Sequence, residues 1–358
     1  SVSCIIEFMN NLYLSAFIVS LVISFAFTPL AGLLAKKFKV MDNPDARKVH
    51  SKLMPRWGGI AIYLGFVVGV CSLFLFKRFG QLLAFRHKVI VNDNLIDILS
   101  LENQFIGIIV GGTILFILGL LDDKKSIPPV PKFLIQIIAA LTVINYGINI
   151  TGLNLPFFSN YLNFPLLLSQ IITIFWLIGF MNTINLIDGL DGLAAGVVAI
   201  AASTFLIVAI LQSDTKVILF SKQLKLAAIL CAALTGACIG FLFHNFYPAK
   251  IFMGDSGSQF IGFILGAITV IGTLKTTAVV SLFIPIIVVA FPVLDVAFSI
   301  LRRFSSKKSI MEADKGHFHH RLLGKGWTQR EIVFLIYIIT FILSLFAILI
   351  TIFNGRVM

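Results

Sequence analysis

Charge is scarce in this chain. Asp, Glu, Lys and Arg make up 12% of its 358 residues, about half the share of a soluble domain. So few charges cannot clothe a water-facing surface, which excludes an ordinary soluble fold. Acid is scarcer than base, with 16 acidic against 28 basic residues and a formal net charge of +12. Cysteine is also sparse. The four present (Cys4, Cys71, Cys231, Cys238) are scattered, mostly in apolar runs, so they read as small core residues rather than disulfides or metal ligands. No internal repeat, low-complexity tract or long linker breaks the chain.

What the chain has in excess is apolar surface, at 58% hydrophobic residues and 35 Phe. A bilayer span needs about 20 apolar residues. About ten such runs follow one another, near 11–34, 58–76, 105–121, 133–150, 165–181, 192–212, 224–243, 257–274, 278–300 and 332–353. The expectation is an all-α integral membrane protein of about ten transmembrane helices, forming a single polytopic domain over 1–358. The N-terminus carries Glu7 and no basic cluster, so the first run is expected to be a membrane helix rather than a cleaved signal peptide.

Alternating crossings divide the loops into two sets. Loops 36–57, 122–132, 182–191, 244–256 and 301–331 hold most of the Lys and Arg, which places them in the cytoplasm and both termini outside. Basic loops on one side explain the net charge without nucleic acid, which is not expected as a partner. The outer stretch 77–104 suggests no role. Every loop rich in Asp, His, Asn or paired Gly falls in the cytoplasmic set. Chemistry confined to one face suggests an enzyme meeting a soluble substrate at the membrane surface. The rival class, a transporter of an anionic lipid or sugar, would more often carry its charges at mid-membrane in broken helices.

The stretch Asn185–Ile200, NLIDGLDGLAAGVVAI, is the sharpest signal. Asp188 and Asp191 lie three apart, as do Asn185 and Asp188, so on a helix the three line one polar stripe. Gly189 and Gly192 leave room for a ligand near the backbone. A carboxylate at membrane depth costs about 2.5–3.5 kcal/mol on insertion scales unless it faces protein or water, so a pair marks a site.

Asp122 and Asp123 end another apolar run. Adjacent residues on a helix point about 100° apart, so one can face metal or substrate while the other braces a neighbour. Paired carboxylates suit a hard cation such as Mg2+, although a solvated helix end beside Lys124 and Lys125 reads the same way. Asp255 opens a helix in the stretch IFMGDSGS and is a fair metal ligand. Tyr247 and Phe252 offer faces for a nucleobase, or simply line the membrane interface. The first cytoplasmic loop brings Asp42, Asp45, Arg47, Lys48, His50 and Arg56 to PRWGG, where amides at a Gly-rich helix start suit phosphate. The last loop holds His317, His319, His320 and Arg321; with no Cys and no HExxH spacing, phosphate contact fits it better than zinc. Asp295 reads as a brace at a helix end.

Taken in order, PRWGG, the DD helix end, NLIDGLDGLA, IFMGDSGS and HFHH resemble the polyprenyl-phosphate N-acetylhexosamine-1-phosphate transferases, which include the MraY and WecA/TagO-like enzymes. The likeness covers nearly the whole chain. It implies Mg2+-dependent transfer of a sugar-1-phosphate from a UDP-sugar donor to undecaprenyl phosphate at the inner face of the bacterial cytoplasmic membrane, with Mn2+ as a substitute ion. By motif, it implies Asp255 and Asn185 at the metal, and Asp122 and Asp123 as catalytic carboxylates. Asp188 belongs to the metal–pyrophosphate region. Gly189, Leu190, Asp191 and Phe252 belong to the uridine pocket, with Asn245 nearby; His317, His319, His320 and Arg321 contact the sugar diphosphate, and Lys48, His50 and Arg56 contact substrate. The HxHHR loop, with Asp314 ahead of it, departs from the MraY pattern and favours the WecA/TagO-like branch, hence UDP-N-acetylglucosamine over UDP-MurNAc-pentapeptide. The oligomeric state is open, a homodimer included.

Overall fold

A computed structural model describes residues 2–43, 53–91, 94–153, 162–214, 218–272 and 322–355. Its helices are α1 (Val2–Lys37), α2 (Gly59–Cys71), α3 (Lys77–Leu83), α4 (Leu101–Lys124) and α5 (Pro129–Asn145). They continue with α6 (Leu166–Ile187), α7 (Leu193–Gln212), α8 (Ile218–Asn245), α9 (Gly254–Gly272) and α10 (Gln329–Gly355). Among the described residues seven are long and apolar enough to cross a bilayer, or eight if α2, the 3-10 turn Ser72–Leu75 and α3, bent by 104°, count as one span. The protein is therefore a multi-pass, helical membrane protein.

The expected count of ten is not reached among these residues. The run 278–300 lies outside them, with Asp295, and the run 133–150 folds into a helix of only 17 residues. Seventeen residues rise about 25 Å, short of a hydrocarbon core about 30 Å thick. Three two-stranded antiparallel ribbons also interrupt the helices: β1 (Met41–Asp42) with β2 (Met54–Pro55), β3 (Arg86–Val91) with β4 (Asn94–Ser100), and β5 (Gly152–Leu153) with β6 (Leu162–Asn163). The second, together with α3, is what the stretch 77–104 builds.

Lipid tails are as apolar as leucine, so burial alone does not hold such helices together; close packing of small residues does. α1 lies against α2 and α8, each offering a glycine pair four apart. A Cβ on Gly65 would stand 2.8 Å from Ser20 O, and one on Gly240 would stand 2.9 Å from Phe25 N. Gly69 and Gly236 are equally filled by Ser20 and by the Phe17 carbonyl. The Ser24 hydroxyl donates to the Ala237 carbonyl at 2.7 Å, a bond worth about 0.6 kcal/mol between membrane helices. α9 is central, contacting α4, α6 and α8, with Phe260 and Phe263 fully buried, whereas α1 and α10 keep long apolar faces outward.

Candidate active site

Helix direction gathers the polar residues at one end of the bundle. The C-terminal ends of α4, α6 and α8 meet the N-terminal ends of α2, α5, α7 and α9 there. Glycine lets three of them touch. A Cβ on Gly119 of α4 would collide with the Ser256 backbone, and one on Gly59 of α2 would stand 2.6 Å from the Ser256 hydroxyl. Gly254 begins α9 at φ +72°, where a Cβ would lie 2.5 Å from the Asp123 carboxylate.

Asp122 and Asp123 divide their work. Asp123, whose side chain is 0% exposed, caps α9: it accepts the Asp255 N–H at 2.8 Å, the Ser256 N–H at 3.2 Å and the Ser256 hydroxyl at 2.8 Å. Asp122 accepts the Ile127 N–H at 2.6 Å and faces the Lys132 ammonium at 2.8 Å. Lys132 also bonds closely to Asp255. Arg56 reaches Asp42 at 3.4 Å, Asp123 at 3.5 Å and Asp255 at 3.6 Å. Burial works against the Arg56 charge, yet Asp123, Asp255, Asp42 and Asp188 outweigh it and raise its pKa.

Lys132 is the residue that sequence reading passed over as one more loop cation. A signal existed. It stands in the first turn of α5, after Pro129 and Pro131, where a positive charge opposes the helix dipole and needs acidic partners. One turn along, Gln136 donates to Gln259 at 3.0 Å and accepts from Asn182 at 3.1 Å, locking α5 to α9 and α6.

The Asn185–Asp191 stretch differs from its expected form. α6 continues to Ile187, so Asn182 and Asn185 lie on its last turns rather than in a loop, and Asn185 donates to the Ser258 hydroxyl at 2.9 Å. Asp188 ends the helix with φ −77° and ψ 44°. Asp191 follows in a turn, because Gly192 (φ +79°) starts α7 as a separate helix. The single stripe through Asn185, Asp188 and Asp191 is thus broken. Asp188 lies in the field of Asp255, Arg56 and Asp123. Asp191 turns away, accepting the Ala249 N–H at 2.9 Å. Burial, then the nearby Asp255 charge, raises the pKa of Asp188 well above the usual carboxylate value.

Around that turn Gly189 is exposed, while Leu190 is buried. Asn245, only 3% exposed, ties the turn to the next segment: it accepts the Gly192 N–H at 3.0 Å and donates to the Ile251 carbonyl at 2.9 Å. Its bonds therefore shape the turn. Phe252 is half-buried, and its backbone joins PRWGG to IFMGD. The Phe252 carbonyl accepts the Gly58 N–H at 2.9 Å, Met253 accepts that of Gly59 at 2.9 Å, and Phe252 N donates to Pro55 at 2.8 Å. The Gly58 and Gly59 amides, expected to suit phosphate, thus already have backbone acceptors here, and Arg56 is the cation of this loop that reaches the carboxylates. Lys48, His50, His317, His319, His320 and Arg321 lie outside the described residues.

The site therefore joins Asp42, Asp122, Asp123, Asp188 and Asp255 to only two cations among the described residues, Arg56 and Lys132. Such a cluster can hold a phosphate-bearing ligand with a counter-ion, beside a turn that carries Asp191.

Comparison with known proteins agrees in kind. The Glycosyl transferase family 4 model matches residues 105–273, which span α4 to α9. A Bacillus subtilis protein named "Probable undecaprenyl-phosphate N-acetylglucosaminyl 1-phosphate transferase" is 38% identical over 93% of this chain and 83% of its own length. Decaprenyl-phosphate N-acetylglucosaminephosphotransferase of Mycobacterium leprae is 33% identical over 94% of this chain and 83% of its own. Phospho-N-acetylmuramoyl-pentapeptide-transferase of Desulfatibacillum aliphaticivorans is 33% identical over 70% of this chain and 73% of its own. With PRWGG, the DD helix end, NLIDGLDGLA and IFMGDSGS converging at one end of a helical membrane bundle, the chain belongs to the polyprenyl-phosphate N-acetylhexosamine-1-phosphate transferase family.

Proposed function

We propose that the protein transfers N-acetylglucosamine-1-phosphate from UDP-N-acetylglucosamine to undecaprenyl phosphate, releasing UMP, at the cytoplasmic face of a bacterial inner membrane. The observation that carries this reading is the meeting of Asp122, Asp123 and Asp255 with Arg56 and Lys132, next to the Asp188–Asp191 turn. Two N-acetylglucosaminyl relatives span over nine-tenths of the chain, and the pentapeptide-transferase relative spans 70%, which supports the donor. The basic loops favour the cytoplasmic placement.

The donor set suits Mg2+. Asp188 has no ion pair among the described residues, and the cluster as a whole holds more carboxylates than cations. No three His, Cys, Asp or Glu side chains among the described residues form a protein-only metal cage. Mg2+ does not require one, since it takes one or two carboxylates and completes its shell with water and substrate phosphates. Asp255 and Asp188 would hold it, with Asn185 adjacent. Once bound, the ion neutralises the charge that gathers on the diphosphate.

This chain's own residues then supply position and proton control. Arg56 and Lys132 offset the repulsion between lipid phosphate and diphosphate, and Asp123 holds Asp255 in place through the start of α9. Asp122, on the Lys132 side, accepts a proton from or orients the lipid phosphate. A phosphate oxygen of the lipid attacks the β-phosphorus, the bond to the bridging oxygen breaks, and UMP leaves. The test is UMP release by the purified protein. It should require both lipid phosphate and a divalent cation, and should be fast with UDP-N-acetylglucosamine and slow with UDP-MurNAc-pentapeptide or UDP-N-acetylgalactosamine. A transporter would release no UMP. Net retention at the transferred phosphorus would refute the single displacement in favour of a phospho-aspartate.

A further inference from the structure

The Asp188–Gly192 turn is held from behind by a helix to which the reaction assigns nothing. Gly192 starts α7 at φ +79° with no side-chain cap. Helix starts are usually extended, and glycine reaches the left-handed region at little steric cost, so what fixes this residue is its bonds. The Gly192 N–H donates to Asn245 at 3.0 Å, and its carbonyl accepts the Tyr337 hydroxyl of α10 at 2.6 Å. That carbonyl also accepts the Gly196 N–H at 3.0 Å.

Tyr337 is fitted to this place. A Cβ on Gly196 would collide with its ring and hydroxyl, and one on Gly192 would stand 3.4 Å from the hydroxyl. Three residues earlier on α10, Phe334 meets Phe246 edge-on at 5.8 Å. The same helix therefore backs the segment whose Ala249 N–H holds Asp191.

We propose that Tyr337 is a positioning residue for nucleotide recognition. Its hydroxyl holds the Gly192–Leu193 peptide plane while Asn245 holds the plane before it, so together they fix Gly192 and with it the aim of Asp191 and of the Gly189–Leu190 backbone. The inference rests on the reading that this turn faces the nucleoside. Tyr337 itself touches no reactant.

Tyr337→Phe removes the hydroxyl and leaves the ring in its notch, so the packing survives. Loss of one neutral hydrogen bond corresponds to a change of about threefold to tenfold. In the purified full-length protein, KM for UDP-N-acetylglucosamine and the inhibition constant of UMP should rise together by that factor. KM for undecaprenyl phosphate, kcat and the thermal midpoint should stay near wild type. Unchanged donor KM would overturn the proposal, as would a parallel fall in kcat, lipid affinity and midpoint, which marks a merely structural bond. Asp191→Ala, measured alongside, separates the two ideas. If it raises donor KM while Tyr337→Phe does not, only the positioning role fails; if it leaves donor KM untouched, the nucleoside reading of the turn fails.

Discussion

Replacing Asp123 by Asn should unfold the site, whereas the same change at its neighbour should only silence it. The Asp123 carboxylate, with a side chain 0% exposed, meets three donors at the start of α9 and Arg56 at 3.5 Å. Both Ser256 donors share Oδ2, so an Asn with its oxygen there keeps those two bonds and turns an amide N–H₂ toward the Asp255 N–H and Arg56, losing that bond and the ion pair. A bond to a buried charged group is worth about 1.5–3 kcal/mol and a part-exposed ion pair about 0.5–1 kcal/mol, which puts the cost at about 2–4 kcal/mol. Asp122→Asn keeps an acceptor for the Ile127 N–H and loses mainly the Lys132 pair, which is partly exposed, for about 1–2 kcal/mol. With the exposed Cys71 replaced by Ser, the chain supplies its own reporter, because Cys231 and Cys238 are buried in α8 and become reactive when the bundle opens. A thiol-reactive fluorogenic dye followed during heating in detergent should give a lower midpoint for Asp123→Asn than for Asp122→Asn. Activity should be lost in both. Equal midpoints would refute the division of labour between the two carboxylates.

Asp188→Asn should separate stability from function. The folded pKa of Asp188 is raised, so its protonated form is favoured in the folded state. Ionisation therefore destabilises the ligand-free protein as pH climbs from the ordinary carboxylate value, 3.8, through the raised one, and that penalty is absent below both. At pH 7 without divalent cations the variant should melt no lower than wild type, with any gain vanishing on acidification, while activity falls at least about 100-fold. A clearly lower midpoint at pH 7 would contradict the argument. Asp255→Ala should abolish UMP release and the stabilisation of the protein by Mg2+ together; full activity in excess Mg2+ would remove Asp255 from the metal site.

Membrane class, the rough position of most apolar runs, and several of the polar residues that gather at one end of the bundle were legible in the chain alone. Insertion into lipid is governed by length and hydropathy, both linear properties, and a carboxylate at the end of such a run is conspicuous because burying it unpaired is costly. Folding alone decided which carboxylate does which task. Asp122 and Asp123 are chemically identical and adjacent, and only the approach of α9, allowed by Gly119, Gly59 and Gly254, makes one a cap and leaves the other facing Lys132. The separation of Asp188 from Asp191 depends likewise on a left-handed Gly192 held by α8 and α10. Helical spacing predicts faces within one helix; it carries no information about partners more than 50 residues away, and at this site those partners set the geometry.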